Sequence, residues 1–190
     1  MTTIGFVRHG VTSWNKEGRE QGSSDVPLDA EGIQMAKRIA DRLAEEDWDV
    51  IYTSPLVRAK MTAELIAKKK PDIALIVDNR LREMGGGLVE GTTEEERIAK
   101  WGPAWKSLEM GFESNEEIMS RGLGLVEDIV EAYPGKRVLV VSHGSFINKL
   151  IKALVPTQRF DAALDNTSLT IIKLQGDGNF CSLYNCTKHL

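Results

Sequence analysis

One short run of aliphatic residues constrains the fold of this chain more than any other feature of its sequence. Val138, Leu139, Val140 and Val141 follow one another with no polar side chain between them. A strand with one face in water alternates apolar and polar residues, whereas a continuously apolar strand is typical of a sheet covered on both faces. The run therefore predicts a strand over Val138–Ser142 that has helices packed on both sides.

Strand-like and helix-like segments alternate along the rest of the chain. The other predicted strands are short apolar runs, namely Ile4–Arg8, Val50–Thr53, Ala74–Val77, Leu169–Leu174 and Phe180–Asn185. Helices are predicted over Glu31–Glu46, from a Ser54-Pro55 start to about Lys69, from a capping box of Ser114 and Glu117 to about Ala132, and over Ser145–Leu154.

This order of elements predicts a single domain over residues 1–190, built as a three-layer α/β/α sandwich around a six-stranded, mostly parallel mixed sheet. The segment QGDGN, residues 175–179, has the composition of a hairpin turn between the last two strands. One strand is therefore predicted to run antiparallel to the others.

Composition and charge argue against several classes of function. The 24 basic and 28 acidic residues give a net charge of −4, which disfavours nucleic acid and anionic membranes as partners. The N-terminus lacks the pattern of a signal peptide, and no segment has the roughly 20 apolar residues of a membrane span. Cys181 and Cys186 have an odd spacing in a strand-like segment, so we do not expect them to pair. We expect a cytoplasmic protein, and the sequence leaves a homodimer open.

Polar residues suited to phosphate chemistry follow four of the predicted strands. Arg8 and His9 end the first strand, Arg58 lies in the first turn of the helix after the second, Glu83 follows the third and His143 follows the fourth. Ligands of open α/β sheets bind beyond the carboxyl ends of the strands. Two arginines, two histidines and one carboxylate are therefore expected to meet there, and this set favours a phosphoryl group as ligand.

The residue types indicate how such a site would work. A neutral imidazole is a nucleophile toward phosphorus, so one histidine could form a phosphohistidine intermediate. Guanidinium groups bind phosphate oxygens bidentately, and a second, protonated histidine would donate a further hydrogen bond. A carboxyl group whose pKa is raised by a neighbouring phosphate could protonate the leaving alkoxide. No metal is required, because the arginines neutralise the charge.

Two other interpretations of the same residues remain open at this point. His9, His143 and Glu83 could form a metal site of two histidines and one carboxylate, although the flanking arginines disfavour a cation. The whole set could also belong to a non-catalytic phosphate-binding or regulatory module.

Four segments resemble the successive signatures of the histidine phosphatase superfamily, the phosphoglycerate-mutase-like enzymes. They are RHGVTSWN from residue 8, TSPLVRAKMTAELI from 53, LREMGGGLVEG from 81 and VVSHGSFI from 140, in the order of the family. The resemblance implies that His9 is the phosphorylated nucleophile and that Glu83 donates and then accepts a proton. It implies that Arg8, Arg58 and His143 form the phosphate pocket.

The same resemblance implies contacts with substrate or phosphate for Asn15 and Gln21, and a contact through the backbone amide for Gly144. It leaves open whether Glu90 shares the proton transfer. It also implies a six-stranded mixed sheet with one antiparallel strand, in agreement with the strands predicted above.

Within the family, the short chain and the segment GFESNEEIMSRG, residues 111–122, are more similar to the small-molecule, broad-specificity phosphatase branch than to the longer phosphoglycerate mutases. We therefore expect a metal-independent hydrolase of small-molecule phosphomonoesters, a phosphomonoesterase of the histidine acid phosphatase type. No cofactor is expected. The alternative is a cofactor-dependent phosphoglycerate mutase, which would need priming by 2,3-bisphosphoglycerate.

Two segments are predicted to affect specificity. Gly85–Gly87 stands where the family usually carries bulkier residues, so the loop is predicted to be mobile or the pocket wider. Residues 101–112 form a candidate lid, whose Trp101, Trp105, Met110 and Phe112 could either line the pocket or pack as core under a connecting loop.

Overall fold

The computed structural model describes residues 1–176 and 178–190 and contains one sheet of six strands. The strands are β1 (Thr2–Arg8), β2 (Val50–Thr53), β3 (Ala74–Val77), β4 (Arg137–Ser142), β5 (Leu169–Leu174) and β6 (Phe180–Cys186). Their order in the sheet is β3-β2-β4-β1-β5-β6. Strands β1 to β4 pair in parallel, whereas β5 is antiparallel to both of its neighbours. The predicted mixed sheet with one antiparallel strand is confirmed. The central residue of the predicted QGDGN turn, Asp177, lies outside the described residues.

Helices cover both faces of this sheet, which confirms the predicted three-layer architecture. They are α1 (Ser13–Glu17), α2 (Ala30–Ala44), α3 (Val57–Lys68), α4 (Glu94–Trp101), α5 (Asn115–Ala132) and α6 (Gly144–Leu154). Short 3₁₀ turns lie at Asn79–Leu81, Gly87–Val89 and Trp105–Ser107. Helices α2 and α3 pack on one face of the sheet, and α5 and α6 pack on the other.

The central strand β4 shows why a continuously apolar run was required. Val138 and Val140 are buried in the core cluster that contains the inner faces of α5 and α6. Leu139 and Val141 point the other way, into the cluster formed with α2 and α3. Because side chains alternate between the two faces of a strand, a strand between two helix layers needs an apolar residue at every position.

One predicted helix start is wrong. The helix after β2 begins at Val57 and not at the Ser54-Pro55 pair, and its N-cap residue, Leu56, makes no side-chain hydrogen bond. The Ser54 hydroxyl lies beneath the polar site described below, 2.8 Å from His143 Nε2, and accepts a hydrogen bond from the Leu56 amide at 3.2 Å. In contrast, the capping box of Ser114 and Glu117 at the start of α5 is confirmed.

Two further observations concern cysteines and membrane spans. Cys181 and Cys186 are both free, in agreement with their predicted lack of pairing. No helix within the described residues combines the length and the apolar character that crossing a bilayer requires.

The two-sided core gives a prediction for stability. Leu139 is fully buried, so Leu139→Ala leaves a cavity between β4 and the α2–α3 layer and is expected to lower the free energy of unfolding by about 2–5 kcal/mol. Leu108→Ala is the matched control, because 48% of that side chain is exposed, and should change it by less than about 0.5 kcal/mol. Urea unfolding followed by circular dichroism measures both, and equal losses would contradict this description of the core.

Candidate active site

A cavity of about 530 Å³ opens at the carboxyl ends of β1 and β4 and contains nearly all the predicted site residues. The predicted residues that line it are Arg8, His9, Asn15, Gln21, Arg58, Glu83 and Gly144. His143 lies fully buried beneath it, with its ring centroid 5.3 Å from that of His9. A larger and more apolar cavity, of about 790 Å³, lies at the opposite edge of the sheet beside Thr2 and Leu174, and no predicted site residue lines it.

His9 is held as a neutral ring with a free lone pair. Its Nδ1 atom lies 2.6 Å from the carbonyl oxygen of Gly10, which can only accept, so Nδ1 carries the proton and Nε2 carries the lone pair. Burial, followed by the positive charges of Arg58 and Arg8, holds the pKa of His9 well below its usual value. The ring is therefore neutral at pH 7, as a nucleophile must be.

The backbone around His9 is fixed from several sides. The Gly10 amide donates to Thr62 Oγ1 at 3.1 Å, and Asn166 Nδ2 donates to the His9 carbonyl at 2.9 Å. A Cβ at Gly10 would lie 2.5 Å from the carbonyl oxygen of Gly32, so only glycine allows this approach of the chain to α2. In the Arg-His-Gly sequence at the end of β1, two residues thus line the cavity and the third allows the backbone to pack closely against α2.

Arg58 is fully buried and Arg8 is partly buried, and neither has a carboxylate in direct contact among the described residues. The Nη1 and Nη2 atoms of Arg58 donate to the carbonyl oxygens of Ser24 and Gly22 at 2.6 and 2.8 Å. Arg8 Nη1 donates to the Leu164 carbonyl at 2.5 Å. Burial lowers the pKa of Arg58 to about 10, so it remains a cation at pH 7. The backbone carbonyls fix both guanidinium groups.

Three buried nitrogen atoms at the site have no hydrogen-bond partner within the described residues: Arg8 Nε, Arg58 Nε and His143 Nδ1. A buried donor that is left unpaired costs about 1–3 kcal/mol. Three such groups close to one cavity, two of them on cations, favour an oxyanion as ligand.

The His143 ring is held by a hydrogen bond to Ser54. Its Nε2 lies 2.8 Å from Ser54 Oγ, which also accepts a hydrogen bond from the Leu56 amide. We assign the Ser54 hydroxyl as the donor to Nε2, which puts the ring proton on Nδ1. Burial, followed by electrostatic coupling to the His9 ring and by the charges of Arg58, Arg8 and Arg121, holds the pKa of His143 well below its usual value. His143 is therefore neutral in the free protein, whereas the protonated form was predicted for the site with a phosphoryl group bound, and a neutral Nδ1–H can also donate to an anion.

Glu83 is positioned by the first turn of α6. Its Oε1 accepts hydrogen bonds from the amides of Met84 and Phe146, both at 2.9 Å, and its Oε2 accepts from the Ser145 amide at 3.3 Å. Burial raises the pKa of Glu83, although these amide bonds act in the opposite direction. A carboxyl group with a raised pKa at the cavity wall suits a residue that gives and takes a proton.

The three predicted binding residues also have identifiable supports. The side-chain oxygens of Asn15 and Gln21 lie 3.1 and 2.9 Å from the amide nitrogen and the hydroxyl of Thr12, which leaves both NH₂ groups for a ligand. Gly144 is required for a different reason, because a Cβ there would lie 3.0 Å from Arg8 Nε.

The glycine-rich loop, which was predicted to be mobile or to widen the pocket, makes close backbone contacts with the segment around residues 110–113. Gly87 has a φ of 54°, and a Cβ at this position would lie 2.0 Å from the Met110 carbonyl oxygen. The Leu88 amide donates to that carbonyl at 2.8 Å, and the Glu113 amide donates to Gly85 at 3.0 Å. The glycines therefore allow two backbone segments to lie in contact.

The candidate lid forms a small core of its own. Trp105 and Met110 are buried in a cluster with Val89, and Trp101 packs against it. None of these residues lines the 530 Å³ cavity, so the alternative of core aromatics under a connecting loop is the correct one for them. Phe112 is half-exposed and does not line the cavity.

Glu90 supports Arg58 indirectly. Its carboxylate accepts hydrogen bonds from the backbone amides of Ser23 and Gly86 and from the hydroxyls of Ser23 and Ser24, at 2.8–3.1 Å. Burial acts to raise the pKa of Glu90, but these hydrogen bonds lower it overall. An ionised, fully bonded carboxylate is a poor proton donor, so we assign Glu90 to holding the loop whose carbonyls bind Arg58.

The chain is similar along its whole length to phosphate-transferring enzymes. A model of the histidine phosphatase superfamily (branch 1) matches residues 4–187. The chain belongs to this superfamily. An uncharacterized phosphatase, PhoE, of Bacillus subtilis (strain 168) is 32% identical, with 100% of this chain and 97% of the relative covered. Phosphoserine phosphatase 1 of Hydrogenobacter thermophilus is also 32% identical, with 100% and 95% covered.

Solved structures agree with the family assignment. A mutant of phosphoserine phosphatase from Entamoeba histolytica, crystallised with phosphoserine, superposes with a TM-score of 0.81 at 29% identity, and 100% of each chain is covered. The histidine phosphatase fold and its small-molecule phosphatase relatives thus match what the site geometry indicates.

Several residues of the histidine phosphatase site were missed from the sequence. Ser54, Thr62 and Asn166 each hold a site residue through a hydrogen bond, to His143, to Gly10 and to His9 respectively. Ser54 and Thr62 lie in the quoted TSPLVRAKMTAELI segment, which was the available signal for these two residues. The metal-site alternative has no support, because no cluster of three or more histidine, cysteine or acidic side chains within the described residues could hold a metal ion.

The Ser54–His143 contact gives a prediction for phosphate binding. Ser54→Ala removes the partner of His143 Nε2, so Nδ1–H is no longer held toward the cavity, and the dissociation constant for inorganic phosphate should rise roughly tenfold. Isothermal titration calorimetry measures it. Ser182→Ala, an exposed serine on β6, should leave the constant unchanged. Equal constants for all three proteins would mean that Ser54 does not position the ring.

Proposed function

We propose that this protein is a metal-independent phosphomonoester hydrolase of the histidine acid phosphatase type, which acts on small-molecule phosphates through a phosphohistidine intermediate. The observation that carries the proposal is the juxtaposition of a neutral His9 with three buried, unpartnered nitrogen atoms, on Arg8 and Arg58 at one cavity and on His143 directly beneath it. These donors suit the phosphoryl oxygens, and the lone pair of His9 Nε2 supplies the attacking atom.

In the first proposed step, His9 Nε2 attacks phosphorus and the bond from phosphorus to the ester oxygen breaks. The Glu83 carboxyl group transfers its proton to the leaving alkoxide, so an alcohol departs and Glu83 becomes a carboxylate. In the second step, the carboxylate takes a proton from water as the water oxygen attacks phosphorus. The phosphorus–nitrogen bond breaks, and inorganic phosphate, neutral His9 and protonated Glu83 are restored.

Several features of the protein support this assignment of roles. The hydrogen bond of His9 Nδ1 to Gly10 fixes the tautomer in which Nε2 is free. The raised pKa of Glu83 favours the protonated form that the first step needs. The arginines neutralise the transferring group, so the proposed chemistry uses no metal or cofactor.

The proposed substrate is a small phosphomonoester, and neither nucleic acid nor a membrane is required. Phosphoserine is a first candidate, since relatives named as phosphoserine phosphatases cover nearly the whole chain. We propose a cytoplasmic location as well, and a homodimer is compatible with the site because every proposed catalytic residue comes from one chain.

The decisive experiment is capture of the phosphoenzyme. Brief mixing with a ³²P-labelled phosphomonoester in excess chelator, followed by alkaline denaturation, should leave label on the wild-type protein with the stability of phosphohistidine. His9→Ala should carry no label and should lose more than about 10³-fold in kcat. His189→Ala, which removes the histidine outside the cavity, should still be labelled. Phosphate binding without label or turnover would indicate the non-catalytic module.

A phosphoglycerate mutase is the other function that the family allows. Phosphorus NMR of 3-phosphoglycerate, with the protein primed by 2,3-bisphosphoglycerate, separates the two. We expect inorganic phosphate to be released, whereas formation of 2-phosphoglycerate would establish the mutase.

The role of Glu83 predicts a dependence on the leaving group. Glu83→Gln cannot donate a proton, so kcat for an alkyl phosphate should fall roughly 10²–10⁴-fold, but kcat for p-nitrophenyl phosphate should fall much less, because nitrophenolate leaves unaided. For the wild type, alkyl ester hydrolysis should decline as pH rises through the elevated pKa of Glu83, since the donor is lost. Equal losses for both substrates would argue against proton donation. Glu116→Gln, an exposed carboxylate in the first turn of α5, serves as the control.

A further inference from the structure

One side of helix α6 forms the wall of the cavity beyond the arginines and histidines of the proposed phosphoryl site. Gly144, Ser145, Asn148, Lys149 and Lys152 all line the cavity. An α-helix rises 1.5 Å per residue, so Lys149 and Lys152 lie about 7 and about 12 Å along the axis from Gly144, which contacts Arg8. The helix thus extends from the phosphate end of the cavity to its mouth and carries two lysines on the way.

These two lysines have no acidic partner within the described residues. Lys149 Nζ donates to the neutral amide oxygen of Asn115, and Lys152 is exposed at the cavity mouth. By contrast, Lys16 and Lys136 each lie within 3.1 Å of a carboxylate. The positive charges of Lys149 and Lys152 therefore remain available to a ligand.

The other charges at the mouth define what kind of ligand would fit. Arg19 lines the cavity, but it is ion-paired with both Glu17 and Glu96 at 2.7 Å. Glu20 also lines the cavity and has no cationic partner among the described side chains. Lys149, Lys152 and Arg19 carry three positive charges, and Glu20, Glu17 and Glu96 carry three negative charges, so the outer wall has no net charge. Two unpaired lysines in a wall without net positive charge suit a single carboxylate better than a second phosphate, which carries about two negative charges at pH 7.

We propose that Lys149 and Lys152 form an outer subsite for a carboxylate, and that the preferred substrates are phosphorylated carboxylic acids with a short carbon chain between the two acidic groups. The proposal rests on the function proposed above, because it takes the inner part of the cavity as the phosphoryl site. Arg8, Arg58 and His143 then hold the phosphoryl group, while the lysines hold the other end of the substrate.

A pair of substrates that differ only in the carboxylate tests this subsite. O-phosphoserine and phosphoethanolamine share the phosphate, the ammonium group and the carbon chain between them. The wild type should show the higher kcat/KM for O-phosphoserine. The variant with both Lys149→Met and Lys152→Met should lose about tenfold for O-phosphoserine, mainly through KM, since two partly exposed ion pairs are removed. Its kcat/KM for phosphoethanolamine should be unchanged or higher.

Three controls separate a subsite from an effect on folding or on overall charge. Lys68→Met makes the same change of charge as Lys152→Met alone, at an exposed position of α3 outside the cavity, and should not alter the ratio of kcat/KM for the two substrates. Lys152→Arg keeps the charge and should retain the preference for O-phosphoserine. Lys152→Met alone leaves the Lys149–Asn115 hydrogen bond intact and should give part of the loss, which shows that a broken helix contact is not the cause.

The results also separate this proposal from the one on which it rests. Equal kcat/KM values for the two substrates in the wild type, or equal losses for both in the double variant, would overturn the carboxylate subsite while hydrolysis itself remained established. A preference for glycerol 1,3-bisphosphate over glycerol 1-phosphate that exceeds the preference for the carboxylate would also overturn it. Failure of the wild type to hydrolyse any of these esters, together with absence of label on His9, would overturn the hydrolase.

Discussion

The site depends on the burial of one positive charge. The Arg58 guanidinium is fully enclosed, and its direct protein partners are the carbonyl oxygens of Gly22 and Ser24. A buried cation with neutral partners is unfavourable unless its surroundings are well ordered. The Glu90 carboxylate provides that order, because it binds the Ser23 amide and the Ser23 and Ser24 hydroxyls. The loop that holds Arg58 is thereby fixed to the glycine-rich segment through Glu90 and Gly86.

The register of the sheet brings the two histidines together. Arg8 of β1 pairs with Ser142 of β4, so the residues that follow them, His9 and His143, leave parallel strands side by side. Parallel strands end at the same edge, and the neighbouring strand ends place the rings with centroids 5.3 Å apart. Backbone pairing between segments 134 residues apart in sequence thus places the proposed nucleophile beside the ring that we propose donates a hydrogen bond to phosphate. Neither ring relies on a flexible loop for its position.

Much of this arrangement could be predicted from the sequence, because it depends on short patterns. The apolar strands, the α5 capping box and the residues at strand ends are local features with a known periodicity or spacing. The predicted residues Arg8, His9, Arg58 and Glu83 accordingly line a common cavity.

The sequence-based predictions were wrong or incomplete where contacts between residues far apart in sequence determine the local structure. Ser54-Pro55 has the local form of a helix start, but the Ser54 side chain is hydrogen-bonded to His143, which is 89 residues away in sequence, and does not cap the helix. At Gly85–Gly87, where a mobile loop or a wider pocket was predicted, the contacts are also long-range, because the Gly85 carbonyl accepts from the Glu113 amide and the adjacent Leu88 amide donates to Met110. The charge of His143 depends on burial among Arg58, Arg8 and Arg121, and no pattern around residue 143 contains that information.

The unpartnered donors around the cavity also have a consequence for the progress of the reaction. Arg8 Nε, Arg58 Nε and His143 Nδ1 are buried and unpaired before any substrate arrives, so they do not distinguish an ester from a free phosphate by themselves. The inorganic phosphate formed at the end of turnover retains every oxygen that these donors bind. Product release is therefore opposed by the same interactions that capture substrate, and accumulated phosphate should compete for the site. A hydrolase built in this way slows as its own product builds up, without a separate regulatory site.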